Sequence, residues 1–273
     1  MTDPDSRLGA PRDPLSSWML AEPRPGLRLW VDLGDYGVSR PCMANAYEPL
    51  ETAFVENHLR PGMWFVDIGA NIGWFSLLAA RRVGPTGCVI AVEPRPDSVA
   101  RLAMSAAENG LTCIVAHQVA AGAAPGRMKV GALIAGHNTG GTWLLTTESL
   151  LKQTSVGHQL FDVDVRRLDD MAIDRCDLMK LDIEGAEYLM LQGALATIER
   201  CRPVILSEVN AEVLGLVSQV SVADYVGLLS RLGYRPHEVT ATGPGRPLSD
   251  AELSTAGAVL NVLFLPKERR DLA

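Results

Sequence analysis

The chain has 273 residues, 47% hydrophobic and 21% charged, proportions that supply a sizeable core and exclude disorder as the dominant state. Lysine and arginine number 25 against 32 acids, a formal charge of −7, so the average surface field repels phosphate backbones and anionic lipid; neither a nucleic-acid nor a membrane partner is expected. No stretch approaches the ~18 unbroken apolar residues of a membrane span, and the five cysteines are scattered without a C-x-x-C pair, the pattern of reduced core thiols in a cytoplasmic protein.

Residues 1–26 are rich in Pro, Asp, Ser and Arg without apolar periodicity and are expected to form a flexible N-terminal tail. Residues 27–60 read as a strand and helix cap. Leu27 to Val38 alternates like two strands turning near Gly34-Asp35, and Glu48 to Leu59 reads as a helix stopped by Arg60-Pro61-Gly62. Residues 61–267 then alternate strand and helix: strand Trp64–Ile68, helix Ile72–Arg82, strand Cys88–Val92, helix Pro96–Asn109 and strand Thr112–Val119. Extra strand segments, Met128–Ile134 and Phe161–Val165, surround a glycine-rich loop. Strand Asp177–Leu181, helix Glu187–Glu199, strand Pro203–Val209, helix Val222–Leu232 and a closing strand Ala258–Leu265 complete the set. Alternation at this spacing predicts an α/β fold of right-handed βαβ units with one core, and no internal repeat is visible.

The segment WFVDIGANIGWF, Trp64 to Phe75, carries the first functional signal. An apolar strand ends in Asp67, and Gly69 and Gly73 frame a turn into a helix whose start presents N–H groups and a positive dipole end to a ligand. A dinucleotide fingerprint needs Gly-x-Gly-x-x-Gly, but Asn71 and Trp74 stand where its second and third glycines belong. A nucleoside without pyrophosphate, such as adenosylmethionine, tolerates both, and Asp67 can accept from its α-ammonium group directly or through water. The next strand ends in Glu93, where a carboxylate can accept from both ribose hydroxyls. The plainer alternative, that these acids cap helices and the glycines only turn the chain, loses weight because the two acids fall at consecutive strand ends.

With a further signature at Lys180 to Glu187, KLDIEGAE, the chain resembles the FkbM-type family of class I methyltransferases. The resemblance runs from about Leu27 to Pro266 and includes DIGAN, the Glu93-Pro94 pair, the loop Asn138 to Gly141 and a later strand carrying Glu208. It implies a Rossmann-like seven-stranded, mostly parallel sheet with the last strand antiparallel and helices on both faces. It also implies adenosylmethionine as donor and O-methylation of a hydroxyl on a sugar or secondary-metabolite intermediate. The donor site then comprises Asp67, Gly69, Ala70, Asn71, Gly73, Glu93 and Asp182, with Gln118 meeting adenine.

Methyl transfer from a sulfonium needs alignment of donor and acceptor and removal of the hydroxyl proton. Asp182, at a strand's carboxyl end where ligands of such folds collect, is the first candidate for base or acceptor anchor, with Glu184 and Glu208 beside it as catalytic candidates. Glu184 reads equally well as a helix-dipole partner, and for Glu187 that reading is preferred. Asp182, Glu208 and Asn210 would form an all-oxygen set suited to Mg²⁺, the last two projecting to one face of a strand; retention of a loop or substrate hydroxyl is the favoured alternative. His137 and His158 flank a segment that reads as a lid. Tyr47 and Glu48 could fold over the donor, although capping explains Glu48 as well. N- or C-methylation, and ligand binding without catalysis, stay open as alternatives, as does a homo-oligomer.

Overall fold

The computed structural model describes residues 17–133, 142–144, 158–254 and 259–268. It begins with a hairpin of β1 (Trp18–Arg24) and β2 (Leu27–Asp32), followed by α1 (Ser39–Met43) and α2 (Pro49–His58). Two expectations are corrected here. The segment assigned to a flexible tail up to residue 26 contains a strand, and the hairpin turns at Pro25-Gly26 rather than Gly34-Asp35. Met19, Ala21, Leu27, Leu29 and Val31 are buried in the core, which gives the hairpin its adhesion. Gly26 takes the left-handed φ of +69° that the turn requires. Asp35 instead accepts the N–H groups of Gly37, Val38 and Ser39 and so leads the chain into α1.

The central elements are β3 (Trp64–Ile68), α3 (Trp74–Val83), β4 (Cys88–Val92), α4 (Pro96–Glu108) and β5 (Ile114–His117). Then come β6 (Ala120–Ala121), β7 (Gly126–Leu133), β8 (Thr142–Leu144), β9 (His158–Arg166), β10 (Leu178–Leu181), α5 (Glu187–Gln192), α6 (Leu195–Cys201) and β11 (Val204–Asn210). The chain continues through α7 (Ala211–Val217), α8 (Val222–Arg231), β12 (Tyr234–Thr240), β13 (Gly243–Pro247), α9 (Asp250–Leu253) and β14 (Val259–Pro266).

Eight strands form the main sheet in the order β13-β12-β14-β11-β10-β3-β4-β5. The pairs from β11 through β10, β3 and β4 to β5 are parallel, whereas β14 is antiparallel to both β11 and β12. The seven-stranded arrangement expected is therefore present as β12-β14-β11-β10-β3-β4-β5, and β13 extends it by a hairpin onto β12. The expected Rossmann-like α/β architecture, a mostly parallel sheet with helices on both faces, is the one observed.

Alternate strand residues face two cores. Phe65, Val89, Leu178 and Leu206 pack with α2, α3 and the N-terminal hairpin, while Val66, Ile90, Met179 and Ile205 pack with α5, α6 and α8. Strands buried on both faces are near-continuous apolar runs, which is why they are legible. The helix expected over Glu187–Glu199 is instead two, broken at Gly193. A Cβ there would lie 2.0 Å from the Gly122 carbonyl oxygen, so the backbone passes hard against β6 and the helix turns aside.

A second sheet, β6-β9-β7-β8, lies beside the first, and its Val130, Val163 and Val165 pack with Ala186 and Val217. This brings Ala120, Ala121 and Val130 to the edge where the parallel strands end. Among the described residues, no single helix is long and apolar enough to cross a membrane.

Candidate active site

At the carboxyl ends of β3, β4, β10 and β11 lies a cavity of about 200 Å³. The sheet order reverses between β3 and β10, and such a switch point opens a crevice between diverging loops. Gly69 (φ +87°), Asn71 (φ +48°) and Gly73 (φ +93°) all take left-handed backbone in the turn after β3. Gly69 and Ala70 donate to the Val92 carbonyl, Gly73 donates to that of Ala70, and Asn71 N–H donates to Glu93 Oε2 at 3.0 Å. These four amides are thus satisfied inside the protein. The turn itself therefore offers a ligand shape and side chains, and the N–H groups expected at the helix start belong to α3 from Trp74 onward.

Glu93 accepts a second amide, from Arg95 to Oε1 at 2.9 Å, so its carboxyl fixes the β3–α3 turn to the end of β4. Burial pushes its pKa up to about 7 against the pull of those donors and of the Arg95 guanidinium. Beside it Asn71 Oδ1 is buried and accepts no hydrogen bond among the described residues, an acceptor that a bound donor group would satisfy.

Asp67 is placed differently from its predicted role. It is 1% exposed, does not line the cavity, and accepts the Ser76 hydroxyl at 2.6 Å. The alternation of β3 points it beneath the strand end toward α3, where burial raises its pKa to about 6 despite Lys180 and Ser76. Gln118 is exposed, and the wall at that point is built from Val119, Ala120 and Ala121; the extended chain turns Val119 inward and Gln118 out. Ala70 and Gly73 shape the turn from behind the lining, Gly73 because a Cβ would meet Leu102 Cγ at 2.7 Å.

Lys180, not among the site residues expected from sequence, belongs to the site. It stands in the inner strand LMKL with a side chain 4% exposed, its Nζ 2.7 Å from Asp182 Oδ2, 3.4 Å from Glu48 Oε2 and 4.4 Å from the centre of the Phe75 ring. Burial opposes its charge, but Asp182, Glu48 and Asp67 outweigh that and hold the ammonium above its ordinary range. A lysine inside a four-residue apolar parallel strand was the available signal, since a buried cation demands buried anions.

Asp182, Glu184 and Glu208 all line the cavity. Glu208 is pushed up to about 8, first by burial and then by repulsion from Asp182 and Glu184. Glu184 is held at φ +53°, next to Gly185, whose Cβ would meet the Val213 carbonyl oxygen at 2.3 Å. Glu187 Oε1 accepts from Ile183 and Gly185 N–H at 3.0 and 3.3 Å, so this buried acid secures the turn after β10. Tyr47, Glu48, Gly37 and Val38 close the cavity from the N-terminal segment.

Asn210 leaves the proposed metal set. Its side chain caps α7, accepting from Glu212 at 3.1 Å and Val213 at 3.5 Å, because a residue preceding a helix finds those amides unfilled. Among the described residues no three His, Cys, Asp or Glu side chains are grouped to hold a metal ion. His137 and the loop Asn138 to Gly141 lie outside the described residues, and of His158 only the backbone, at the start of β9, is described.

A family profile for the methyltransferase FkbM domain matches residues 67–236. Among solved structures the chain is similar to a methyltransferase FkbM from Methylobacillus flagellatus KT, with 21% identity, a TM-score of 0.46, and coverage of 74% of this chain and 43% of that one. It is similar also to Trm5b from Pyrococcus abyssi, with 13% identity, a TM-score of 0.46, and coverage of 92% and 55%. TYW2 from M. jannaschii, solved in complex with AdoMet, shows 14% identity, a TM-score of 0.43, and coverage of 91% and 84%. The chain thus spans 43% and 55% of the length of the first two. No curated protein matches it.

Proposed function

The chain belongs to the methyltransferase FkbM domain family, and from that premise we propose that it is an adenosylmethionine-dependent O-methyltransferase acting on a hydroxyl of a small metabolite, a sugar or a secondary-metabolite intermediate. The observation that carries this reading is one cavity lined both by the Gly69–Asn71 turn with Glu93 and by a half-buried carboxyl, Glu208, whose pKa is pushed up to about 8.

Glu93 keeps lone pairs beyond its two amide bonds and would take ribose hydroxyls. Asn71 Oδ1, buried without a hydrogen bond, would accept from the donor's ammonium. Bound donor would supply the electrophilic methyl group. Glu208 would take the proton of the acceptor hydroxyl, since a base works best with a pKa near the operating pH. Asp182, paired to Lys180 at 2.7 Å, would serve as an anchor that orients the acceptor. This reverses the order of preference expected from sequence. The chain's net charge of −7 supports a small uncharged or cationic acceptor over a phosphate backbone.

The test is incubation with methyl-labelled donor and a panel of hydroxylated metabolites, read by mass spectrometry. A product heavier by one methyl and resistant to mild acid, as an ether is, supports the reading. Folded protein that binds no donor rejects it, and label found on nitrogen or carbon rejects the O-methyl assignment.

A further inference from the structure

Glu48 lies ahead of the residues matched by the family profile, 67–236, yet its side chain lines the same cavity as Asn71, Asp182 and Glu208. It occupies the N-cap of α2 with left-handed backbone, φ 38° and ψ 68°, and makes no capping bond. A non-glycine residue adopts that conformation only where its surroundings impose it. Here the imposed position turns the carboxyl inward to Lys180, with the Tyr47 hydroxyl donating to it from the neighbouring residue.

Lys180 cannot neutralise what surrounds it. Its Nζ is 2.7 Å from Asp182 and 3.4 Å from Glu48, and it also faces Asp67 below the strand end. Glu208 adds a further carboxyl group to the cavity wall. Glu48 Oε2 is itself buried without a hydrogen bond among the described residues. Among the described residues, one ammonium facing Asp182, Glu48 and Asp67 leaves surplus negative potential in a weakly screened space, where a unit of ligand charge counts for more than in water.

We propose that Glu48 is a specificity-determining residue for ligand charge: it makes the cavity prefer cationic adenosylmethionine over the neutral thioether, adenosylhomocysteine, that methyl transfer leaves. The inference rests on the donor reading above and deepens it. It assigns to the N-terminal segment a part in releasing spent donor, beyond walling the cavity. In the step the acceptor oxygen bonds to the methyl carbon as the carbon–sulfur bond breaks, its electron pair stays on sulfur and the hydroxyl proton passes to Glu208; the sulfonium becomes a neutral thioether, so its own attraction to Glu48 is present before transfer and lost after it.

Titration calorimetry of wild type and Glu48→Gln in mildly alkaline buffer, with adenosylmethionine and adenosylhomocysteine in separate experiments, tests this. Glu48→Gln is expected to weaken adenosylmethionine about tenfold and leave adenosylhomocysteine unchanged, while Glu48→Asp restores the preference. Equal weakening of both ligands would mean that Glu48 only shapes the wall, and no change in either would mean that its charge is not felt; each overturns the proposal. Wild-type protein that binds neither compound overturns the donor reading together with it.

Discussion

Gly69 stands so close to the backbone of Asp182 that a methyl group on its α-carbon would lie 1.8 Å from the Asp182 carbonyl oxygen. The turn after β3 and the turn after β10 therefore meet backbone to backbone, and neither can move without the other. Gly69→Ala adds both this clash and a left-handed strain at φ +87°. It should lower stability by about 3 kcal/mol or more and abolish donor binding. Gly126→Ala, at a position with open space around it, is the control and should stay within about 0.5 kcal/mol. Denaturant unfolding and donor titration check both.

The parts of this arrangement that were legible in sequence are those written locally. VDIGANIG and AVEP end buried parallel strands, so their acids could be placed at one sheet edge from apolar runs alone. Strand β12 was missed because Arg235, Pro236 and Glu238 interrupt its pattern, and β13 because GPGRP carries turn residues. Both lie toward the sheet's outer edge, where polarity is tolerated. The Lys180–Asp67 neighbourhood depends on the β3–β10 register, in which the two residues are directly paired. No spacing rule reveals that. Asn210 and Glu208 do share a face as i,i+2 residues, but the unfilled amides of α7 claimed Asn210.

Buried carboxyls make stability depend on pH in a defined direction. Glu93 and Glu187 are raised to about 7 and Asp67 to about 6, each chiefly by burial. A carboxyl whose folded pKa exceeds its unfolded value binds its proton more tightly when folded. Its contribution is complete below the unfolded pKa and lost as pH rises through the folded one. The melting temperature should therefore fall between about pH 5 and pH 8, and Glu187→Gln, which keeps the shape while removing the titration, should flatten that slope. A melting temperature that rises steadily across this window would contradict the assignment.

Glu208→Gln removes the proposed base while retaining shape. Turnover should fall by about 10²- to 10⁴-fold with donor affinity kept within a small factor. The wild-type rate should climb with pH toward a plateau above about 8, as Glu208 gives up its proton. Asp182→Asn should instead raise the acceptor KM more than it lowers kcat, the mark of a group that orients and does not take the proton. Rates with labelled donor across pH, at saturating and limiting acceptor, separate the two roles.

Lys180→Met probes whether the acids depend on their shared cation. Replacing a buried charge pair wholesale with apolar groups is often neutral, but removing one partner strands the other. Here at least Asp182, Glu48 and Asp67 lose the ammonium that each faces. The variant should lose about 3–5 kcal/mol near neutral pH and regain much of it on acidification, because protonating the acids removes the charges left uncompensated. Adding Asp182→Asn should recover part of the loss at neutral pH, since it deletes the carboxylate nearest the missing Nζ, 2.7 Å away in the wild type. A single variant as stable as wild type across this range would show that solvent or rearrangement compensates the acids, and would remove Lys180 from its place at the centre of the site.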